Sequence, residues 1–135
     1  RLEDALTIAA LYVCLLRMLL RLRRSNQRWR TYPVFLLEEN RWRAQRYGVQ
    51  GSLLDFGKGA LVPVRDLIEE VIDLTAEDAA ALGCEREVAR ARDIVEAGTS
   101  ADRQLACYAA QIAGGAKPPA ALRAVVDHLR RETLE

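Results

Sequence analysis

Residues 3 to 24 constrain the fold more than any other stretch, because their apolar side chains cover nearly the whole circumference of one helix. Leu2, Leu6, Ala9, Val13, Leu16 and Leu20 recur at alternating steps of four and three, and Ile8, Leu11, Leu15, Leu19 and Leu22 widen that stripe. A helix apolar on almost every side is buried among other helices or in lipid. Ala5 to Leu22 approaches spanning length, with Arg23 and Arg24 behind it like a cytoplasmic anchor. Arg17 lies inside the run, however, and an arginine at the bilayer centre costs about 2.5 to 3.5 kcal/mol on insertion scales. The expectation is no membrane insertion. Instead this is a central helix wrapped by the others or packed against another copy of the chain, with Arg17 reaching along its stem to solvent or a partner.

A chain of 135 residues buries one core and forms one compact domain at most. It is rich in Ala, Leu and Arg and poor in aromatics, which favours helix. The net charge of +1 argues against a dedicated nucleic-acid binder. The charge is unevenly placed: residues 1–50 carry ten Arg against four acids, while residues 51–135 carry ten Lys plus Arg against fifteen acids. A cationic half facing an anionic ligand has this pattern, and so do two halves that attract each other. Cys14, Cys84 and Cys107 form no CxxC pair and share the chain with one histidine, so no metal site is expected. Each falls on an apolar stripe and reads as a reduced core residue. No signal peptide is visible, and with no initial Met the chain reads as a piece of a longer protein.

Ser25 to Pro33 breaks the helical pattern, since Pro33 biases Tyr32 out of helix. Trp29, between Arg28 and Arg30, is expected to staple the next helix rather than to stack on a base. That helix spans 34–47, with Phe35 and Trp42 on its core side. After Gly51 the period becomes extended, and 52–63 reads as a β-hairpin turning at Gly57-Lys58-Gly59. This turn lacks the long glycine run and trailing Lys-Ser/Thr of a phosphate loop.

The remainder, 64–134, is helical. Val64, Leu67, Ile68, Val71 and Ile72 mark one helix with Glu69, Glu70 and Asp73 solvated, and Thr75 with Asp78 reads as a capping box for a short helix stopped at Gly83. Cys84, Val88, Ala91 and Val95 stripe the next, up to Gly98. Thr99 or Ser100 caps a helix carrying Leu105, Tyr108 and Ile112. The last helix, entered at Pro118 or Pro119, is expected to bury Leu122, Val125, Val126 and Leu129. His128, lying beside that stripe, reads as a surface or core-edge residue.

Function is best sought in residues 38–48, Glu-Glu-Asn-Arg-Trp-Arg-Ala-Gln-Arg-Tyr-Gly. On a helix closed by a left-handed Gly48, Glu39, Arg43 and Arg46 line one side, and Asn40, Arg43 and Tyr47 overlap it. Guanidinium groups grip carboxylate or phosphate through paired hydrogen bonds, so the cluster suits an anionic ligand. Cations in a last turn also complement the helix macrodipole, and Glu39 with Arg43 is an ordinary i,i+4 pair, so a purely structural role stays open.

The wording of this run, with Leu53-Leu54-Asp55-Phe56-Gly57-Lys58-Gly59 after it, resembles a stretch late in the bacterial ATP-dependent carboxylate-amine ligases, the type 2 glutamate-cysteine ligases. The likeness continues through Gly98-Thr99-Ser100-Ala101-Asp102-Arg103-Gln104 and Leu122-Arg123-Ala124-Val125-Val126-Asp127, and reaches back to Arg1-Leu2-Glu3-Asp4-Ala5. It covers nearly the whole chain, which corresponds to about the last third of such an enzyme.

The resemblance implies a mainly α chain of about six helices and one short β-hairpin, the helical C-terminal portion of a glutamine-synthetase-like α+β fold. It implies that the full enzyme uses ATP and magnesium to phosphorylate the γ-carboxylate of glutamate, after which an amine such as cysteine displaces the phosphate. It carries Asn40, Arg43 and Arg46 over as ligands of glutamate or phosphate, and places the metal-binding acids in the earlier, N-terminal catalytic part. The chain alone is therefore expected to be inactive and to hold no cofactor, with that catalytic part, in the cytoplasm, as its partner. The alternative is a non-catalytic helical interaction module using the apolar face of its first helix.

Overall fold

The computed structural model describes residues 1–134, with the side chain of Leu134 left out of the description. The chain is mainly α with one hairpin: α1 (Leu2–Arg24), α2 (Val34–Tyr47), β1 (Ser52–Asp55), β2 (Ala60–Pro63), α3 (Val64–Leu82), α4 (Glu85–Ala89), α5 (Ala91–Ala97), α6 (Ser100–Ala113) and α7 (Pro118–Leu134). Helices α3, α4 and α5 pack along one side of α1, α2 lies on β1, and α6 and α7 pair with each other.

The first helix is one continuous element, as its apolar pattern predicts, but it is not wrapped. Only Thr7, Cys14 and Met18 are buried, a stripe at steps of seven and four. Cys14 meets Ala79 and Val88, with Ala10, Leu11, Ile72 and Cys84 around them. At about 100° per residue, Leu2, Leu6, Val13, Leu16 and Leu20 lie roughly 140° round the helix from that stripe, and all five are exposed. The expectation of a helix buried on all sides is corrected: α3, α4 and α5 cover one flank only. Among the described residues α1 is also the one helix long and apolar enough to cross a membrane.

Arg17 finds its partner inside the protein. Asp78 on α3 is fully buried, takes Nη1 of Arg17 on one oxygen, and accepts Arg21 Nη2 on the other at 2.8 Å. Asp78 is therefore not half of a capping box, and neither is Thr75, whose hydroxyl donates to Val71 O at 2.7 Å within an unbroken α3. Nothing between Asp73 and Leu82 interrupts the helix. The threonine folds its hydroxyl back on the preceding turn, and the aspartate turns inward to two arginines. Helix α3 stops where expected: Gly83 takes the left-handed conformation at φ 67°, and the amides of Gly83 and Cys84 return to Ala80 O and Ala79 O.

Three further expectations need correction. The helix striped by Cys84 to Val95 is two short helices separated at Arg90. On α7 the buried residues are Ala121 and Glu132, while Leu122 and Val126 are exposed. Phe35 and Trp42 are exposed rather than core-facing, at 70% and 51%, and the Trp42 ring meets Tyr47 edge to face, ring centroids 5.7 Å apart. In α2 and α7 the apolar period is real and these side chains stay exposed, whereas Val88, Ala91 and Val95 are buried despite the break at Arg90.

Charged groups join α6 and α7 to α1. Arg103 reaches Asp4 at 3.3 Å and buried Glu132 at 2.7 Å, Arg90 reaches Glu3 at 2.9 Å, and Arg1 reaches Glu132 at 3.4 Å. His128, at the core edge as expected, lies 3.7 Å from Glu132.

Candidate functional site

Helix α2 starts after Pro33, whose fixed φ suits helix entry, and ends at Gly48, which has φ 59° and ψ −152°. This is a positive φ outside the left-handed helical region, so Gly48 opens a 3-10 turn over Gly48–Gln50 instead of closing α2 directly. The turn folds tightly onto α2: a Cβ at Gly51 would stand 2.6 Å from Tyr47 Cβ. It delivers the chain into β1, which pairs antiparallel with β2 in the register Ser52↔Pro63, Leu53↔Val62, Leu54↔Leu61 and Asp55↔Ala60.

Asn40 holds helix and hairpin together. Its Nδ2 donates to Leu54 O at 2.9 Å, and its Oδ1 accepts from Leu54 N at 2.7 Å. The carboxamide thus makes the two bonds that a neighbouring strand would make on the outer edge of β1. One Nδ2 hydrogen remains for another partner.

Arg43, one turn further on, is three-quarters buried at its side chain and gives Nε to Glu39 Oε1 at 2.7 Å. Among the described residues that single bond leaves both terminal nitrogens of the guanidinium unengaged. Arg46 is exposed in the last turn and makes no ion pair among the described residues. The structure therefore keeps all three predicted residues on one helix, turns Asn40 toward the hairpin, and leaves guanidinium donors at Arg43 and Arg46.

The hairpin turn is satisfied from within. Asp55 Oδ1 accepts from Gly57 N at 2.8 Å and Lys58 N at 3.1 Å, and Lys58 Nζ lies 3.1 Å from Asp55 and 3.2 Å from Glu70 on α3. The Lys58 hydrogen bonds hold the Asp55 carboxyl below its ordinary range, and the two carboxylates raise the Lys58 ammonium. No phosphate cradle is left in this turn.

Between the hairpin, α3 and the 25–33 segment lies an open crevice of about 410 Å³ lined by Trp29, Tyr32, Leu54, Phe56, Leu67 and Val71, with Asn40 also on its wall. The Tyr32 and Phe56 rings meet at 4.7 Å. Trp29 is half-exposed here, with Arg28 and Arg30 beside it on the adjoining surface. Sequence reasoning missed this crevice because Tyr32 and Phe56 are 24 residues apart in loop and turn positions, where no periodicity announces a contact.

The segment 99–104, where the sequence places a helix cap, is a filled cap. Thr99 N donates to Asp102 Oδ2 at 2.7 Å and Asp102 N to Thr99 Oγ1 at 3.4 Å, the reciprocal pair of a capping box. The Thr99 hydroxyl, also donating to Asp102 Oδ2 at 2.7 Å, and then the Thr99 amide lower the Asp102 pKa, and Arg103 turns to Gly98 O at 2.8 Å. The structural reading of this segment holds.

Among the described residues no three His, Cys, Asp or Glu converge to hold a metal. Three of the acids on α3 are engaged with cations: Glu69 takes Arg92 Nε and Nη2, each at 2.7 Å, Glu70 takes Lys58, and Asp78 takes the arginines of α1. Glu69 and Glu70 are thus ion-paired, not merely solvated as expected, and the residues present do not fit a magnesium site.

Helix α2 thus presents guanidinium donors at Arg43 and Arg46, while its Asn40 joins the hairpin and the wall of the crevice. The chain belongs to glutamate-cysteine ligase family 2, whose family model matches residues 1–127. It is 59% identical over 134 residues to a Rhodospirillum rubrum protein named "Putative glutamate--cysteine ligase 2", covering 99% of this chain and 34% of that protein. Proteins of the same name from Jannaschia sp. and Solibacter usitatus are 57% and 39% identical, covering 96% and 98% of this chain and 34% and 32% of theirs. The chain thus spans about a third of the length of the curated relatives it matches. No solved structure matches it.

Proposed function

We propose that this chain forms the C-terminal part of an ATP-dependent carboxylate-amine ligase that joins glutamate to an amine such as cysteine, acting in the cytoplasm. The observation carrying this reading is the family match across residues 1–127, together with the ligase name that the relatives bear. In the proposed reaction the γ-carboxylate of glutamate attacks the terminal phosphorus of ATP, releasing ADP and leaving a γ-glutamyl phosphate. The amine then attacks the acyl carbon, and phosphate departs. Magnesium would balance the charge on the nucleotide. Its ligands would come from the other part of the enzyme, since among the described residues no three acids converge on one point.

Within that reaction the role proposed for Arg43 and Arg46 is to hold the glutamate carboxylate or the transferring phosphoryl group. The free terminal nitrogens of Arg43 and the unpaired Arg46 support this. Asn40, with one amide hydrogen left, would position α2 against the hairpin and add at most one bond to the ligand.

Arg43→Ala and Arg46→Ala in the complete enzyme test the assignment. Loss of one contact that strengthens as phosphoryl charge develops costs about 3 to 4 kcal/mol, or roughly two to three orders of magnitude in kcat. A helix-dipole role costs about 0.3 to 1 kcal/mol of stability and leaves kcat near normal, which would overturn it. For the chain alone, calorimetry with ATP and magnesium is expected to show no metal-dependent binding.

A further inference from the structure

We propose that the outward stripe of α1, Leu2, Leu6, Val13, Leu16 and Leu20, is the seat on which the polypeptide making up the other two-thirds of the ligase packs. The inference rests on the ligase reading for the identity of that partner, and on surface area for its existence. A folded monomer of 15.1 kDa exposes about 7,100 Å² by the surface scaling of globular proteins. This chain exposes 9687 Å². The excess is on the order of 2,500 Å². With the matching share of a partner, the covered area would reach about 5,000 Å², in the class of obligate interfaces.

The excess is apolar where it is most concentrated. The stripe runs the length of α1 on the side away from the Thr7, Cys14 and Met18 stripe that α3, α4 and α5 cover, so α1 has two packing faces and one is filled. The sheet is unfinished in the same sense: among the described residues β2 pairs only with β1, and a two-stranded hairpin is marginal alone in water. An apolar helix face and an open strand edge together call for protein, whereas lipid could cover the first but never extend the second. The relatives supply the occupant, since their length beyond the matched third is about twice that of this chain.

The test produces this chain together with the separately expressed remainder of the Rhodospirillum rubrum relative and follows both by light scattering and by formation of γ-glutamyl product. The expected result is a one-to-one complex. In it, Leu6→Glu with Leu16→Glu weakens association at least a hundredfold, while Asp127→Lys on exposed α7 leaves it unchanged. Both leucines are exposed and glutamate is a good helix former, so circular dichroism of the variant chain alone should match the parent. A complex that forms without product would remove the ligase reading and keep the seat. Full product with the double variant would remove the seat and keep the ligase. No complex, or a homodimer or vesicle binding that the two substitutions abolish in its place, would overturn the proposal.

Discussion

Asp78 shows how much one buried carboxylate can hold. Its hydrogen bonds to Arg21 and then Arg17 keep its pKa below the ordinary range against the opposing effect of burial. A depressed carboxyl contributes stability that is full above the unfolded pKa near 3.8 and is lost as pH falls through the folded value. Asp78→Asn is therefore expected to cost about 2 kcal/mol at neutral pH, less than a fully buried pair because both arginines reach solvent. It should also flatten the acid limb of the stability curve below about pH 4, measured by urea unfolding at several pH values. Cys14 gives a second residue-scale outcome. Burial, with Cys84 Sγ at 3.5 Å, pushes its thiol up to about 11, so it should resist alkylation at pH 8 until the chain unfolds. Residue-level legibility was mixed for a physical reason. Thr75-Asp78 and Thr99-Asp102 have the same spacing, yet only the second is a capping box. Gly98 breaks the chain before Thr99, whereas helical residues precede Thr75 and leave no free amides to cap.

Elements were legible wherever a breaker or a change of period marks them. The ends of α1 and α2, the hairpin, the stop at Gly83 and the start of α6 all stand within a residue or two of where Pro, Gly and the apolar period place them. The join between elements was not legible, because Asn40 and Leu54 carry no pattern that announces a side chain standing in for a strand. That join predicts a definite phenotype. Asn40→Ala leaves the Leu54 amide and carbonyl without partners and is expected to cost about 1 to 3 kcal/mol, with faster hydrogen exchange at Leu54 than in the parent. Thr99→Ala removes one half of a surface cap and is expected to cost about 1 kcal/mol, read as a lower melting temperature. The candidate site shares this division: helical spacing and the family resemblance single out Arg43 and Arg46, whereas the crevice at Tyr32 and Phe56 needed the fold.

For the whole molecule, the apolar period of α1 marks nearly its whole circumference, and the fold covers only the Thr7, Cys14 and Met18 flank. Periodicity records which residues avoid water, not which chain excludes it. Because so much surface stays exposed, the isolated chain should unfold with a denaturant slope below that of ordinary domains of 135 residues, since the slope follows the area newly exposed. The charged cluster at the start of α1 has a different outcome. Arg103 and Asp4 are 99 residues apart, and this pair together with Arg1 and Glu132 fastens the α6–α7 pair to the start of the chain through ions. A helical pair whose internal contacts are local and whose attachment is ionic behaves as a separately opening unit. Its amides would exchange together ahead of those on the covered flank of α1, and at 1 M salt, where screening shortens to about 3 Å, they would do so sooner still. The chain would then come apart in two steps, shedding its last two helices first.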